Sequence, residues 1–202
     1  MVAIRRQPFI TPPAYLKLER EAATKSEYID GQIYAMSGAS RQHNRITVDV
    51  SGLIHAQLKS GPYEGFASNM RVKVSDGSMY AYPDVVVACR EARFEDEEMD
   101  TLLEPTVIIE VFSDGTEKND RGKKFARYQR IESLREYVLI SQDEARIECY
   151  TRQPDDRWIL SKAESLEALI ELESIGCVLP LTEVYARIRF EGEEAAETAN
   201  NG

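Results

Sequence analysis

The chain has 202 residues, of which 43% are hydrophobic and 30% are charged, and its formal net charge is -10. This length and composition predict one soluble globular domain with its own core, and they exclude disordered and fibrous proteins. The negative charge argues against a protein whose whole surface binds nucleic acid, because phosphate binding draws on clustered lysine and arginine.

The N-terminal part of the chain predicts a helix, a hairpin and a longer helix. Thr11-Pro12-Pro13 indicates a helix start, since threonine can cap a helix and proline is tolerated in its first turn, and this helix should end near Thr24. Asp30-Gly31 between two apolar segments predicts a two-residue hairpin turn. From Arg41 to Leu58, apolar residues recur at three- and four-residue intervals, which predicts an amphipathic helix packed on a sheet.

The rest of the chain alternates strands and helices. The predicted elements are a strand over 66–74, a turn at Asp76-Gly77, buried strands over 83–88 and 106–112, a helix over 119–131, strands over 137–140, 146–150, 158–160 and 166–172, and a short helix over 181–188. This order predicts an α/β fold with a central β-sheet flanked by helices. We expect one domain over residues 1–190 and a disordered acidic tail over 191–202, whose apolar content is too low for folding.

The cysteines and the apolar segments bear on the compartment. Three cysteines at wide spacings favour reduced thiols over disulfides or a zinc site, and Cys89 and Cys149 fall in strand-like segments that we expect in the core. No apolar stretch is long enough to span a bilayer, and the N-terminus lacks the apolar segment of a secretory signal. We therefore expect a cytoplasmic protein that has no membrane partner.

Charge is distributed unevenly along the sequence. Acidic blocks over 91–100 and 191–197 are expected to be solvated. Between Glu117 and Arg135, basic residues outnumber acidic ones, which predicts a local basic patch in which Arg121 and Arg127 contact the substrate. The basic residues of this patch are Lys118, Arg121, Lys123, Lys124, Arg127, Arg130 and Arg135.

Two carboxylates interrupt apolar strands, Asp84 before Val85-Val86-Val87 and Glu110 within the strand over 106–112. Burial of an unpaired charge is costly, so each acid should lie at a strand end, be paired or bind a metal. Two carboxylates that converge from adjacent strands suit Mg²⁺ or Mn²⁺. Taken alone, they fit equally well two acids that are satisfied by hydrogen bonds or arginines.

The helix after Glu110 adds a lysine to these acids. On a helical wheel of roughly 100° per residue, Lys124 falls on the packing face and Lys123 falls on the solvent side. Lys124 should therefore meet Glu110 or Asp120, and a purely structural ion pair is the alternative. As a catalytic group, Lys124 would orient or deprotonate a water on the metal held by Asp84 and Glu110, or stabilise the transition state.

An ordered series of segments carries a family resemblance. The segments are Glu27-Tyr28-Ile29-Asp30-Gly31, His43 at a helix start, Pro83-Asp84-Val85-Val86-Val87, Ile109-Glu110-Val111-Phe112-Ser113, Asp120-Arg121 with Lys124 and Tyr128, and Glu136-Tyr137. Together, over roughly residues 12–188, they resemble the Uma-two family of restriction-endonuclease-like bacterial proteins. The resemblance implies a restriction-endonuclease-like mixed sheet flanked by helices, with Asp84 and Glu110 in the acidic positions of the acid, acid-x-lysine nuclease motif.

One position departs from that motif. Its lysine lies two residues after the second acid, where this chain has Phe112. The resemblance implies that Lys124 replaces it from the neighbouring helix. Glu27 would be an outer metal contact or an exposed strand carboxylate, and His43 would contact phosphate or a metal-bound water, or cap its helix. Two further accessory positions are Asp120 and Tyr128.

Three functions are consistent with these residues. The first is a magnesium- or manganese-dependent endonuclease that cleaves DNA as a homodimer, with a possible companion protein for DNA targeting. The second is a catalytically inactive protein of the same fold that binds nucleic acid or another protein, which the net charge and Phe112 favour. The third is a metal-dependent phosphohydrolase of small substrates, which suits an acidic surface.

Overall fold

The computed structural model describes residues 8–190, and the predicted tail over 191–202 lies outside them. The helices are α1 (Pro12–Glu21), α2 (Arg41–Leu58), α3 (Glu117–Asn119), α4 (Phe125–Tyr128) and α5 (Leu181–Val184). The strands are β1 (Ser26–Ile29), β2 (Gln32–Ala35), β3 (Tyr63–Ala67), β4 (Arg71–Lys73), β5 (Met79–Ala81), β6 (Val85–Cys89), β7 (Thr101–Leu102), β8 (Pro105–Phe112), β9 (Glu136–Ser141), β10 (Ile147–Arg152), β11 (Trp158–Ala163), β12 (Leu169–Leu172) and β13 (Cys177–Pro180).

The larger sheet has six strands in the order β11-β10-β9-β8-β6-β3. Strands β8 and β9 are parallel, and the other neighbours are antiparallel. Helix α2 packs on one face through Ile46, Val50 and Ile54, which share a core with Val85 and Ile109. The predicted mixed central sheet and the long amphipathic helix are both confirmed.

A second sheet, in the order β2-β1-β5-β4-β7, covers the other face of the six-stranded sheet. Val72 and Met79 of this sheet share a core with Ile108 of the larger one. On its outer side, Tyr15 of α1 packs against the ring of Tyr28. Apart from the hairpin, this sheet was not predicted, because β4, β5 and β7 have only 3, 3 and 2 residues and such short strands give no periodic signal.

The predicted strand over 66–74 is wrong. It consists of β3 and β4, which belong to different sheets. The chain turns between them at Ser68, whose φ of 38° lies in the left-handed region that few residues other than glycine adopt. The Ser68 backbone N–H donates to the Asp84 carbonyl at 2.8 Å. This turn therefore lies directly beside the start of β6.

The N-terminal hairpin is confirmed. Asp30 and Gly31 have φ values of 47° and 85°, as a two-residue turn of this hand requires. Helix α1 is confirmed too, but it ends at Glu21, before the predicted end near Thr24, and the Thr11 side chain makes no capping hydrogen bond. The hairpin belongs to the second sheet and brings Glu27 of β1 over the end of β8.

The predicted regular helix over 119–131 is wrong in its geometry. Helix α3 continues into a π-helical turn over Asp120–Lys124, and α4 follows it. A π turn holds an extra residue, so a wheel of about 100° per residue does not apply across it. Asp120, Lys124 and Tyr128 are nevertheless buried while Lys123 is exposed, as the wheel indicated for the two lysines.

The C-terminal strands β9, β10 and β11 confirm the predicted ones, but the last segments differ. The strand predicted over 166–172 begins only at Leu169, and its partner β13 was not predicted. The last helix ends at Val184, before the predicted residue 188. Strands β12 and β13 form a two-strand hairpin that shares a core with α2, a tertiary contact that local pattern does not encode.

Two expectations from the composition need correction. The acidic block over 91–100 is only partly solvated, because Asp96 and Asp100 bind Arg20 and Glu95 binds Lys73 at 2.6 Å. Cys149 is buried as predicted, whereas Cys89 is only partly buried.

Among residues 8–190, no helix is both long and apolar enough to cross a membrane.

Candidate active site

Asp84 and Glu110 lie side by side at one end of the six-stranded sheet. Strands β6 and β8 are antiparallel and pair Val85 with Ile109, so the next positions outward, Asp84 and Glu110, also face each other. Both side chains line a cleft of about 890 Å³. Other predicted site residues that line this cleft are Glu27, His43, Asp120 and Lys124.

Lys124 joins two carboxylates from different sheets. Its Nζ lies 2.9 Å from Oε1 of Glu110 and 3.0 Å from Oε1 of Glu27. The Tyr128 hydroxyl donates to the same Glu110 oxygen at 3.1 Å. The π turn and α4 therefore supply a cation and a hydroxyl donor to one buried carboxylate, and the N-terminal hairpin supplies the second acid.

Asp84 is held by two hydrogen bonds. Its Oδ1 lies 2.8 Å from Nε2 of His43, and its Oδ2 accepts the backbone N–H of Val111 at 2.7 Å. His43 lies in the first turn of α2, where its backbone N–H donates to the capping Ser40 hydroxyl at 3.0 Å. The histidine therefore contacts an acid of the site directly.

The electrostatics of the site are dominated by crowded acids. The pKa of Glu110 is raised to about 8, first by burial and then by the nearby charges of Asp84, Asp120 and Glu27, against the opposing effect of Lys124. Burial alone would lower the pKa of Lys124, but the charges of Glu110 and Glu27 outweigh burial, and its pKa stays well above the ordinary value. The lysine is therefore a cation among an excess of carboxylates.

The donor set fits a hard divalent cation with few protein ligands. Among residues 8–190, no three acidic, histidine or cysteine side chains converge as a ready metal cage. Mg²⁺ commonly uses only one or two carboxylates and fills its other positions with water and substrate phosphate. Glu110 Oε2 makes no hydrogen bond within the described residues, and it is not among their fully buried polar atoms. Since Glu110 lines the cleft, this oxygen faces the cleft.

The predicted basic patch is mostly neutralised by ion pairs. Arg121 binds Glu117 and Glu148, and Arg127 binds Asp30. Arg121 does not line the cleft, whereas Arg127 lines an adjoining cavity of about 350 Å³. A role for these two arginines in substrate binding therefore stays a prediction.

Phe112, which holds the motif position of the missing lysine, is an internal residue. Its ring lies between the guanidinium groups of Arg121 and Arg146, whose central carbons are 5.5 and 5.4 Å from its centroid. The aromatic residue is 1% exposed. The only amine that reaches Glu110 in the described part of the chain is that of Lys124.

Lys25 and Tyr34 also line the cleft, although neither was predicted as a site residue. Lys25 Nζ donates to the Ser68 carbonyl and to Asn69 Oδ1, both at 2.7 Å. Nothing in its local sequence marks it, because its partners come from a distant loop. Tyr34 could have been found from the hairpin register, which pairs it with Glu27.

Comparisons with known proteins agree with this fold. Two uncharacterized proteins of Synechocystis sp. (strain ATCC 27184 / PCC 6803 / Kazusa) are similar in sequence. The first, sll1609, is 36% identical over 171 residues, which is 85% of this chain and 97% of that protein. The second, slr1290, is 33% identical over 183 residues, which is 91% of this chain and 95% of that protein.

A solved structure and a family model complete the comparison. The crystal structure of a putative nuclease belonging to DUF820 from Anabaena variabilis ATCC 29413 has a TM-score of 0.73 at 21% identity, and the match covers 88% of this chain and 98% of that one. At this identity the likeness shows the fold. Residues 12–182 match the Uma2 model, described as putative restriction endonuclease, and the resemblance found in the sequence is thereby confirmed. The chain belongs to the Uma2 family of putative restriction endonucleases.

Proposed function

We propose that this protein is a metal-dependent endonuclease that hydrolyses phosphodiester bonds of DNA in the cleft around Asp84 and Glu110. The observation that carries the proposal is the position of Lys124 Nζ, 2.9 Å from Glu110 and 3.0 Å from Glu27. A buried cation on Glu110, which faces Asp84 across adjacent strands, matches the parts of the acid, acid-x-lysine motif, although the lysine comes from a different element.

Asp84 and Glu110 are the residues that would hold Mg²⁺ or Mn²⁺. Such an ion, when bound, lowers the pKa of a coordinated water and offsets the charge that grows on the phosphate. The shift of the Glu110 pKa to about 8, caused by burial and by like charges, supports a site whose negative charge is incompletely balanced by protein groups. Asp120 and Glu27 add to this negative charge.

Lys124 is assigned to charge stabilisation and not to proton abstraction. Its pKa lies well above the ordinary value, so it holds its proton at neutral pH and makes a poor general base. Its ammonium group is placed to donate to a phosphate oxygen next to Glu110. Tyr128 orients Glu110 through the 3.1 Å hydrogen bond, and His43 orients Asp84 through the 2.8 Å contact.

The test is cleavage of supercoiled plasmid and of a fluorescent oligonucleotide with Mg²⁺ or Mn²⁺. Glu110→Gln and Lys124→Met should abolish or strongly reduce the cleavage seen with the wild type. Lys59→Met, which changes an exposed lysine outside the cleft that has no ion pair in residues 8–190, is the matched control and should cleave normally. Absence of cleavage by the wild type would favour the catalytically inactive alternative, and equal cleavage by all variants would identify a contaminating nuclease.

A further inference from the structure

Tyr34 differs from the other tyrosines of the chain. Of the ten tyrosines, it alone is exposed, with 53% of its surface accessible, while the others are buried or partly buried. It lies on β2, the outermost strand of the second sheet, and it lines both the main cleft and the adjoining cavity. An aromatic ring is therefore displayed at the point where the two cavities meet.

The hairpin register places this ring next to the candidate active site. Tyr34 pairs directly with Glu27 across β1 and β2. Paired residues of antiparallel strands project from the same face, with Cβ atoms about 4.5–5.5 Å apart. Glu27 in turn lies 3.0 Å from Lys124 Nζ. One carboxylate, that of Glu27, thus lies between the tyrosine and the cation that we assign to the phosphate.

The two cavities have opposite charge. The adjoining cavity is lined by three cationic side chains against two acidic ones, whereas acids dominate the main cleft. Lys123 in this cavity is exposed and has no ion pair within residues 8–190, and Arg127 has a buried Nε without a hydrogen-bond partner there. Donors are therefore available to a backbone phosphate beside Tyr34, before the strand reaches the acids.

This arrangement suits a single strand better than a duplex. Stacking on one side chain requires the face of an unpaired base, which a duplex keeps inside its own stack. Duplex binding draws on many phosphate contacts, and most arginines near the cleft are already engaged in ion pairs with acids. A few cations beside an exposed aromatic ring are what binding of single strands uses.

Building on the proposed nuclease function, we propose that Tyr34 is a stacking platform for an unpaired nucleobase, and that the site takes single-stranded polynucleotide. Lys123 and Arg127 contact the phosphate that enters, and the strand passes over Tyr34 to the cleft between Asp84 and Glu110. The preferred substrate is then single-stranded DNA or RNA, or an unpaired end of a duplex, and not continuous duplex.

Binding is tested with fluorescein-labelled oligo(dT), oligo(rU) and a hairpin duplex of equal length, by anisotropy with Ca²⁺ in place of Mg²⁺. The wild type should bind at least one single strand about tenfold or more tightly than the duplex, and Tyr34→Ala should weaken that binding about tenfold or more. Tyr34→Trp should retain it. Ile159→Ala, which removes an exposed apolar side chain from the distant edge strand β11, should leave it unchanged.

The outcomes separate this inference from the proposed function. Single-strand binding that depends on Tyr34, in a protein that cleaves nothing, would support the platform and refute the nuclease. Metal-dependent cleavage of duplex and single strands alike, unaffected by Tyr34→Ala, would support the nuclease and refute the platform. Equal binding of duplex and single strand by wild type and Tyr34→Ala would also refute the platform. The two single-strand arms show whether the sugar is deoxyribose or ribose.

Discussion

Lys124 Nζ and Glu110 Oε1 are 2.9 Å apart, although the lysine belongs to a π-helical turn and the acid to the central strand β8. Both side chains are buried, and Tyr128 binds the same oxygen from the next helical segment. A buried pair of this kind is a weak source of net stability, because desolvation of the two charges offsets much of their attraction. This pair therefore contributes little to folding energy, and its place in the cleft agrees with the catalytic role proposed for Lys124.

Replacement of Lys124 by methionine separates catalysis from metal binding. Loss of a donor that stabilises developing charge should lower kcat about a hundred- to a thousandfold. Metal affinity should stay equal or rise, because a cation that competes for Glu110 has been removed. Cleavage kinetics and calorimetric titration of Mn²⁺ measure the two effects, with Glu110→Gln as the variant that should lose metal binding. A parallel loss of metal affinity in Lys124→Met would contradict the assigned role.

Metal binding should depend on pH through Glu110. Its pKa is raised to about 8, first by burial and then by neighbouring acids, so below pH 8 a proton competes with the metal. Apparent affinity should therefore increase up to about tenfold per pH unit between pH 6 and pH 8, and level off above. Calorimetry with Mn²⁺ at three pH values checks this slope. A flat profile over that range would show that Glu110 is already ionised.

The raised pKa of Glu110 makes the stability of the metal-free protein fall with rising pH, whereas metal affinity rises. Since the folded pKa of Glu110 lies above its ordinary value of 4.5, its contribution to stability is fully present below about pH 4.5 and is lost as the pH rises through about 8. Glu110→Gln should remove this part of the pH dependence. Denaturant unfolding of both proteins in a metal chelator, at pH 6 and pH 8.5, should give a smaller change for the variant than for the wild type.

Much of the fold follows from local sequence, and the elements that were predicted wrongly differ for clear physical reasons. Asp30-Gly31 and the apolar stripe from Ile46 to Leu58 determine the hairpin and α2 locally, so both were predicted. Ser68 breaks the predicted strand over 66–74 through a left-handed conformation that serine rarely adopts. No local pattern predicts such a turn, because its backbone N–H is bound by the Asp84 carbonyl from elsewhere in the chain.

Part of the candidate site could also be predicted from local sequence, whereas one of its contacts depends on tertiary packing. Asp84 and Glu110 stood out because charge interrupts apolar strands, and the structure places them side by side. Lys124 was selected by a regular wheel that the π turn invalidates, yet it is buried, with its amine on Glu110 and Glu27. The contact with Glu27 depends on how the second sheet packs against the first, which sequence periodicity does not contain.

Glu148 should be important for the π turn. It is fully buried on β10 and binds Arg121 of the turn, with Lys162 at 3.1 Å on its other side. Glu148→Gln would remove the counter-charge of Lys162 and one of the two acids that bind Arg121, and it should destabilise the protein by about 3 kcal/mol, the low end for a broken buried pair because the cations reach solvent. Urea unfolding measures this loss. Glu144→Gln, on a carboxylate that is 61% exposed, is the control and should change stability by less than about 0.5 kcal/mol.

Gly52 offers a stabilising substitution away from the site. It lies on the exposed side of α2, and an added Cβ meets no atom within 4 Å. Gly52→Ala should therefore stabilise the protein by about 0.5–1 kcal/mol, the difference in helix propensity. Gly31→Ala is the opposite case, because φ is 85° there and the new Cβ would clash with Phe9. Thermal unfolding should show a higher Tm for the first variant and a lower Tm for the second.

Phe112→Lys tests whether the motif position can regain its usual residue. Positions 110 and 112 of β8 project to the same face, so a lysine there would leave the strand on the side of Glu110. The ring of Phe112 instead fills a buried space between Arg121 and Arg146, where a third cation would meet like charge. We expect Phe112→Lys to lower the free energy of unfolding by about 3–5 kcal/mol, the range found when a buried aromatic ring is removed.

The double variant Phe112→Lys with Lys124→Met completes this test. The double variant should stay as inactive as Lys124→Met alone. It should also unfold at a lower denaturant concentration than either single variant. The matched control is Phe112→Leu, which keeps an apolar residue and should retain cleavage while losing less stability than Phe112→Lys. Restored cleavage in the double variant would contradict this expectation, because it would show that a lysine at position 112 can replace Lys124.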